Sequence, residues 1–579
     1  MRLLRRLLQR PFHSIQGKAQ HAPFGPRQSP SQTQSTHRLQ SSTVFALSSA
    51  PGRGGVSVVR VAGSVASRAL ALAGYAGDER PSPRRATVRP LRDPRSGELL
   101  DVGALVLWFD GPRSFTGDDT VELHVHGGPA VVAATLGTLG SLPGLAMASP
   151  GEFTRRAWLA GKLDLTEVEG LSDLLAAETE LQRRQAIFHA GGAARALYTS
   201  WRAGLLRALG SVEAAIDFGE EEDDGHILGA TGAVGAAIRE LLGAIETHLA
   251  DGRRGELVRS GVRVALVGPP NAGKSSLLNA LARRDAAIVS PQPGTTRDVV
   301  DVSLELGGCA VVLSDTAGLR ARQSGGDAED EIDAVEQTGI ERAYDRAADA
   351  ALKLIVLDVD ALRGSDDGRY GAEALELVDE NTIVVLNKLD LVHDFDSRAS
   401  TLLNPADAAE RLTQSGALTA SLSAALRGEQ AGGSDASRTS ATAPPLAVCL
   451  VSCAEEPARA ESELAQNSSG GGDGVHALVE ELERRVADLV NGGGADGVGH
   501  AVITRARHRL HLEECRAALQ LYIAETEGGA DGGGFSFDCR LDVAAEELRS
   551  ATRALGRITG DVAVEELLDF IFAEFCIGK

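Results

Sequence analysis

A glycine-rich stretch, GPPNAGKSS, runs from Gly268 to Ser276 between the apolar run VRVALV and the helical run LLNALA. Its glycines allow backbone N–H groups to close around phosphates, and the start of the following helix adds positive potential. Lys274 can reach the β- and γ-phosphate oxygens, and Ser275 can ligate Mg²⁺. The predicted phosphate contacts are Asn271, Ala272, Gly273, Lys274, Ser275 and Ser276.

Three further motifs follow in the order expected of a guanine nucleotide site. GTTRD at 294–298 contains Thr296, which is suited to close over Mg²⁺ and sense the γ-phosphate. DTAG ends a predicted strand, where an Asp can hold the Mg²⁺ water shell. NKLD ends another strand, and the carboxylate of Asp390 can accept from the two neighbouring N–H donors of guanine, which adenine lacks. The contacts added by DTAG and NKLD are Asp315, Thr316, Ala317, Gly318, Asn387, Lys388 and Asp390.

The catalytic step needs a residue outside these motifs. Leu319 follows DTAG at the place where Ras-like enzymes have a water-positioning Gln. Hydrolysis requires an oriented water and compensation of the charge that builds between the β- and γ-phosphates. We therefore expect a carboxylate or an extra cation to replace the missing Gln.

Several domains must position these motifs, because 579 residues exceed what one hydrophobic core usually organises. Residues 43–162 mix short β-type runs with Gly and Pro turns, which predicts an α+β domain. Residues 163–259 and 496–579 show helical spacing. Residues 260–495 alternate apolar strands with helical stretches, which predicts an inserted α/β phosphate-loop domain with a parallel sheet.

Two stretches inside that α/β domain, 394–445 and 455–474, are rich in Ser, Gly, Ala and Asp and lack periodicity. Such composition is typical of flexible surface insertions. We expect no essential chemistry in them.

The first 42 residues contain seven Lys or Arg and no Asp or Glu. This composition resembles a transit peptide, and the leucines of MRLLRRLLQR share one helical face, as in a mitochondrial import helix. A chloroplast address and a simple basic tail are the alternatives.

Net charge and cysteine spacing restrict the classes of protein. With 58 basic and 80 acidic residues, the net charge of −22 argues against a generally basic surface that coats nucleic acid, so an RNA partner must be recognised locally. No apolar run is long enough for a membrane span or anchor. The six cysteines form no paired framework, which favours free thiols in a reducing compartment.

Four segments resemble the MnmE (TrmE) family of tRNA uridine modification GTPases. They are SAPGRGGVSVVRVAG at 49–63, DDTVELHVHGGP at 118–129, PGEFTRRAWLAGKLDLTEVEGLSDLL at 150–175 and LGRITGDVAVEELLDFIFAEFCIGK at 555–579. The resemblance implies a homodimer whose N-terminal domain dimerises and binds folate, and whose helical domain carries the G domain. Ribosome-assembly GTPases, which share only the G domain, remain the alternative function, and a GTP-binding scaffold without turnover is a further one.

The resemblance also implies how hydrolysis is assisted. Asn271, Ser290, Gln292 and Thr295 match the family's K⁺ ligands, and Ser290 and Thr295 also belong to its nucleotide site. The bound K⁺ would act like an arginine finger. Glu336 matches the carboxylate that orients the attacking water, so the implied catalytic residues are Glu336, Lys274 and Thr296, with Ser275 and Thr296 holding Mg²⁺.

Further positions match the family's one-carbon and base-binding sites. Arg60, Glu122, Lys162 and Lys579 match the site for a 5-formyl- or methylene-tetrahydrofolate donor. Cys576 is either a thiolate nucleophile beside the folate or a small buried hydrophobe. Ser452, Cys453 and Ala454 replace the family's Ser-Ala-Arg or Ser-Ala-Lys in the loop that contacts the base. The implied activity, with a FAD-bearing MnmG-type partner, is modification of carbon 5 of the wobble uridine of tRNA.

Overall fold

The structure is a computed structural model, and it divides into two compact units. The described residues are 42–77, 79–218, 224–251, 253–284, 301–315, 347, 349–363, 372–391, 402–415, 420–427, 447–453, 474–491, 502–527, 537–562 and 565–578. The first unit ends at Lys162 but also includes the chain from Phe575 onward, and the second runs from Leu163 to Glu574. Within these described ranges, no helix has the length and apolarity needed to cross a bilayer.

The first unit is built on a mixed sheet with the strand order β3-β4-β5-β2-β1-β6. Its elements are β1 (Thr43–Leu47), β2 (Val56–Ala62), a 3₁₀ helix (Ala66–Ala73), β3 (Thr87–Arg92), β4 (Leu99–Phe109), β5 (Thr120–His126), α1 (Pro129–Gly140), β6 (Leu145–Met147) and α2 (Glu152–Leu159). Val59, Val121 and Trp108 alternate with more exposed residues and pack on one face with the 3₁₀ helix and α1. The predicted α+β architecture is therefore present.

The C-terminal residues belong to this first unit. Ile577 forms an antiparallel bridge with Pro150, and the Ser48 hydroxyl donates to the Gly578 carbonyl at 2.8 Å. Gly578 has φ +105°, and a Cβ there would lie 2.0 Å from the carbonyl oxygen of Leu47, so only glycine fits. Helical spacing predicts one helical segment over 496–579 and gives no signal for the return of Phe575 and the residues after it to the first unit.

In the second unit, helices come before, between and after the strands of a sheet along the chain. They are α3 (Leu165–Ala176), α4 (Glu180–Ala190), α5 (Ala193–Phe218), α6 (Asp224–Leu249), α7 (Arg254–Ser260), α8 (Lys274–Arg284), α9 (Val359–Arg363), α10 (Ala372–Leu375), α11 (Pro405–Ser415), α12 (Ala420–Arg427), α13 (Gly474–Asn491), α14 (Ala506–Glu527), α15 (Phe537–Thr559) and α16 (Glu565–Ala573). Asp164 with Glu167 forms a capping box that starts α3. Tyr198 of α5 packs in one core with residues of α14 and α15.

A buried ionic contact joins the early and late helices. Glu169 of α3 accepts from Nη2 of Arg507 at 3.0 Å and from Nε2 of His508 at 2.8 Å. A buried carboxylate is tolerated only when such partners compensate for its lost hydration. The segments before and after the sheet therefore fold as one helical body.

Seven described strands form the second sheet, in the order β12-β13-β11-β10-β7-β9-β8. They are β7 (Val262–Val267), β8 (Asp301–Leu306), β9 (Cys309–Asp315), β10 (Leu352–Asp358), β11 (Thr382–Asn387), β12 (Leu402–Leu403) and β13 (Ala447–Leu450). All neighbouring pairs are parallel except those made by the edge strands β8 and β12. The predicted parallel sheet with crossover helices is confirmed, since helices pack on both of its faces.

The expectation of a flexible insertion at 394–445 is wrong for its described residues, 402–415 and 420–427. This stretch contains β12, α11 and α12, and Leu403, Leu412 and Leu422 are buried in the core on one face of the sheet. Sparse apolar residues at helical spacing fix it there, although Ser, Ala and Asp dilute the pattern in the sequence. The second insertion, 455–474, lies outside the described residues apart from Gly474, the first residue of α13.

Candidate functional site

The loop between β7 and α8 encloses the ammonium group of Lys274. This lysine is the first residue of α8 and is buried, and its Nζ donates to the carbonyl oxygens of Gly268 at 2.7 Å and Pro269 at 2.8 Å. Ser275 follows in the same first helical turn, where a hydroxyl oxygen suits a hard cation such as Mg²⁺. The loop therefore holds a positive charge at a helix N-terminus, which suits phosphate.

Asn387 ties this loop to the end of β11. Its side chain is buried, and Nδ2 donates to the carbonyl oxygen of Ala272 at 2.9 Å. Gly273 has φ +95°, and a Cβ there would lie 2.1 Å from that same Nδ2. The contact thus needs glycine at 273 and links the phosphate loop to the strand that carries NKLD.

The next residue of NKLD is held by an acidic partner. Lys388 has φ +64°, and its Nζ lies 2.7 Å from Oδ2 of Asp358, the last residue of β10. The other carboxylate oxygen of Asp358 accepts the N–H of Asp360 at 3.0 Å. Sequence reasoning missed Asp358, although an Asp that ends a buried strand beside two other polar strand ends is a usable signal.

The third position of NKLD is oriented from the β13 side. The Ser452 hydroxyl donates to Oδ1 of Asp390 at 2.6 Å, and an ionised carboxylate retains acceptor sites for the N–H groups of a base. Burial, together with the charge of Asp390, raises the pKa of the Cys453 thiol to about 11, so this thiol is neutral at pH 7. The family resemblance selects Ser452 as part of the base-contacting loop, and the structure adds that its hydroxyl holds Asp390.

The structure leaves several candidates undescribed. Asp315 ends β9 as predicted, but nothing is described of its side chain. The candidates outside the described residues are Ser290, Gln292, Thr295, Thr296, Thr316, Ala317, Gly318, Glu336, Ala454 and Lys579.

Two of the one-carbon-site candidates meet in the first unit. Arg60 of β2 and Glu122 of β5 are direct neighbours in register, and Nη2 of Arg60 lies 2.9 Å from Oε1 of Glu122. The guanidinium carbon also lies 5.6 Å from the ring centre of Phe115 and 5.7 Å from that of Phe153. The pair is partly exposed, with 17% and 16% of the side chains accessible. A flat heterocycle with N–H donors fits such a set of an aromatic ring, a planar cation and a carboxylate.

The other candidates of this unit lie nearby in the chain or on its surface. Lys162 is exposed, and its Cε is 3.5 Å from where a Cβ on Gly117 would stand, in the loop that carries Phe115. Cys576 is also exposed, so the alternative of a small buried hydrophobe is wrong for the single chain.

The parallel sheet, the phosphate loop and the NKLD strand end define the class: a phosphate-loop protein with a guanine-type base motif. Two family models match, the MnmE helical domain over residues 165–576 and the GTP-binding protein TrmE N-terminus over residues 43–162. The chain belongs to the MnmE family of tRNA modification GTPases.

Named relatives agree with this membership. The tRNA modification GTPase MnmE of Parvibaculum lavamentivorans is 42% identical over 93% of this chain and 100% of its own length. The mitochondrial 5-taurinomethyluridine-[tRNA] synthase subunit GTPB3 is 42% identical in Danio rerio and 41% in Homo sapiens, over 93% of both chains in each case. Among solved structures, the G domain of the T. maritima FeoB iron transporter is 20% identical over 39% of this chain and 98% of its own, with a TM-score of 0.20 that is too low to add to the assignment.

Proposed function

We propose that this chain is a K⁺-dependent GTPase that acts with a FAD-bearing MnmG-type partner on the wobble uridine of tRNAs. Its contribution is to carbon 5, where a carboxymethylaminomethyl or taurinomethyl group is built with a one-carbon unit from 5-formyl- or methylene-tetrahydrofolate. The observation that carries the proposal is the Asn387 to Ala272 hydrogen bond, because it joins the phosphate loop and the guanine motif into one site.

Within that site each residue of the chain has a separate task. Lys274 offsets charge on the phosphates, and Ser275 and Thr296 hold Mg²⁺, which supplies further charge neutralisation. Asp390, oriented by Ser452, accepts from guanine. Glu336 orients the attacking water, the task of the Gln whose place Leu319 takes in this chain. These roles for Glu336 and Thr296 depend on the family resemblance.

The K⁺ assignment also depends on that resemblance. Its four residues are Asn271, Ser290, Gln292 and Thr295, of which only Asn271 is described, with φ +60°. Asn adopts this backbone region more readily than most residues, which is compatible with a loop shaped for an ion.

Hydrolysis of GTP in K⁺ and in Na⁺ at equal ionic strength tests this part of the proposal. We expect K⁺ to raise kcat at least about tenfold, since a correctly placed cation acts on transition-state charge. Glu336→Ala should lose most of that activity while still binding GTP. Glu213→Ala, a surface carboxylate of α5, is the matched control. Equal rates in the two salts would contradict the K⁺ role.

Arg60 and Glu122 are proposed to bind the folate in the first unit. Glu122 accepts from the N–H groups of the pterin, while Arg60 holds that carboxylate in place. Lys162 and Lys579 pair with the folate's glutamate carboxylates. Cys576, exposed on the chain end that packs against β1, is available to this site as a thiol.

The same membership supports a proposed assembly and a proposed location. The chain is proposed to form a homodimer through its first unit; light scattering of the full chain and of a chain ending after Lys162 tests the dimer and the unit that forms it. A mitochondrial location is supported by the acid-free, basic residues 1–42 and by the mitochondrial relatives, whereas nothing favours the chloroplast alternative.

Reconstitution tests the tRNA reaction itself. The full chain, an MnmG-type protein with FAD, isotopically labelled methylene-tetrahydrofolate and an unmodified tRNA with a wobble uridine are combined, and the nucleoside is analysed by mass spectrometry. We expect label at carbon 5 only when GTP is present. Modification that needs neither the folate nor this chain would contradict the proposal.

A further inference from the structure

The first unit carries a concentration of positive charge that contrasts with the acidic chain as a whole. Residues 80–95 contain six arginines and a single acid, Asp93, whereas the net charge of the full chain is −22. All six arginines are exposed. We call them the arginine strip: Arg80, Arg84, Arg85, Arg89, Arg92 and Arg95.

The strip follows an edge of the sheet and the loop before it. β3 is the edge strand, and Arg89, Pro90 and Arg92 are exposed along it. The guanidinium carbon of Arg89 lies 5.1 Å from the ring centre of Tyr75, and that of Arg80 lies 4.9 Å from Trp108. Stacking on these rings holds two long side chains in place, which lowers the entropy that binding would otherwise cost.

The strip is connected to the Arg60–Glu122 site through one loop. Nη2 of Arg84 donates to the carbonyl oxygen of Arg113, and Nη1 of Arg80 lies 3.8 Å from Oδ2 of Asp119. Residues 110–119 also carry Phe115, which lies against Arg60. By sheet order, β3 and β2 are three strand spacings apart, about 14 Å.

We propose that the arginine strip binds the phosphate backbone of the RNA substrate and leads a single-stranded loop toward Arg60 and Glu122. The inference rests on the proposed function, since it identifies how that substrate is recognised. Guanidinium groups match phosphate with paired N–H donors, and unstacked bases of a loop stack on arginine planes. An acidic protein needs such a local surface, because its overall field repels RNA.

Arginines and proline on an edge strand also discourage strand pairing between molecules. Charge of either sign serves that purpose, but only positive charge binds phosphate. Reversing the charge therefore separates the two roles, and Arg85→Glu/Arg89→Glu is the informative variant. Arg85→Lys/Arg89→Lys keeps the charge, and Arg207→Glu/Arg263→Glu makes the same charge change at exposed positions of the second unit.

The experiment measures fluorescence anisotropy of a labelled, unmodified tRNA transcript with a wobble uridine, titrated with the full chain at several KCl concentrations. We expect the glutamate variant to bind at least about tenfold more weakly and to lower the slope of log K against log salt by about 1.5, the loss of two phosphate contacts. The lysine variant and the second-unit variant should stay within about threefold of wild type. Circular dichroism and thermal unfolding of all four proteins report that they are folded, because GTP hydrolysis reports on the second unit alone.

Three results would overturn the proposal that the arginine strip binds RNA. Wild-type affinity in the glutamate variant excludes it, as does an equal loss in the second-unit variant, which reports only net charge. If Arg85→Glu/Arg89→Glu weakens binding to phosphatidylglycerol vesicles but leaves tRNA binding unchanged, the strip binds a membrane surface instead. If one of these results is found while the wild-type chain supports tRNA modification, RNA binding by the strip is excluded and the proposed function stands. If the reconstituted modification reaction also fails, both proposals are excluded.

Discussion

The nucleotide site of the second unit and the Arg60–Glu122 site of the first unit are built from different material. In the former, glycines let the loop backbone approach a side chain at a strand end, as at Gly273 and Asn387. In the latter, two side chains meet across neighbouring antiparallel strands, and two rings lie against Arg60.

This difference determines which changes each site tolerates. A backbone-built site fails when any side chain is added, because there is no room for a Cβ and no rotamer that avoids it. A side-chain site keeps its shape after a conservative substitution and loses only charge or hydrogen bonding. The following predictions test that contrast, beginning with the largest effect.

Gly273→Ala should weaken GTP binding about 100-fold. The added Cβ meets Nδ2 of Asn387 at 2.1 Å, so Asn387 must move and its bond to Ala272 is lost. Overpacking and the lost hydrogen bond together cost about 3 kcal/mol. Titration with a fluorescent GTP analogue measures the affinity.

Gly204→Ala is the matched control for that variant. Gly204 lies within α5, with nothing near the position of its Cβ, so alanine should leave GTP binding unchanged. If the Gly273 variant bound GTP as well as the control does, the backbone-built description of the phosphate loop would be wrong.

Asp390→Asn should lower GTP affinity about 30-fold, through the loss of charge-assisted hydrogen bonds to the base. The amide offers a donor where guanine also has one, whereas xanthine has a carbonyl there, so XTP should bind better to the variant than GTP does. Competition between the two nucleotides measures this. Ser452→Ala, which removes only the orienting hydroxyl, should have a smaller effect; unchanged preference for GTP in the Asn variant would argue against base contact by Asp390.

Glu122→Gln should reduce tRNA modification about tenfold and leave GTP hydrolysis unchanged. The amide keeps the volume of the side chain but carries no charge to pair with Arg60, and its nitrogen is a donor where the second carboxylate oxygen is an acceptor. The reconstituted modification assay and phosphate release are measured on the same preparation. Glu213→Gln, in a surface ion pair with Arg549, is the control. Equal losses in both activities would mean that the variant has damaged the fold rather than a site.

The sequence alone predicted the nucleotide site better than the Arg60–Glu122 site, because one depends on local spacing and the other on strand register. The phosphate loop and NKLD were readable because glycine and polar residues at fixed spacing follow apolar strands, and the structure brings both to one edge of the sheet. Arg60 and Glu122 are 62 residues apart, and only strand register makes them neighbours, so a family resemblance was needed to select them. Periodicity likewise gave no indication of Gly578 on the first unit or of the helices within 402–427.

Among the described residues, the buried histidines lie in the second unit, and their protonation gives the smallest predicted effect, a loss of stability in acid. His189 of α4 is buried, and burial, with the nearby charge of His508, lowers its pKa to about 4 from an ordinary value near 6.5. Its folded form therefore stays neutral while the unfolded chain takes up a proton. The contribution to stability is complete above pH 6.5 and is lost as pH falls from 6.5 toward 4, about 1 kcal/mol by pH 5.5.

Hydrogen exchange localises that loss. Between pH 7.5 and 5.5, peptides from α4 should lose protection in the wild type relative to His189→Leu measured at the same pH, so that the intrinsic exchange rate cancels. Peptides from β4, in the first unit, should show no such difference. His476→Leu, an exposed histidine of α13, should behave as wild type. If His189→Leu and the wild type lost protection in α4 equally, protonation of His189 would not be what weakens the second unit in acid.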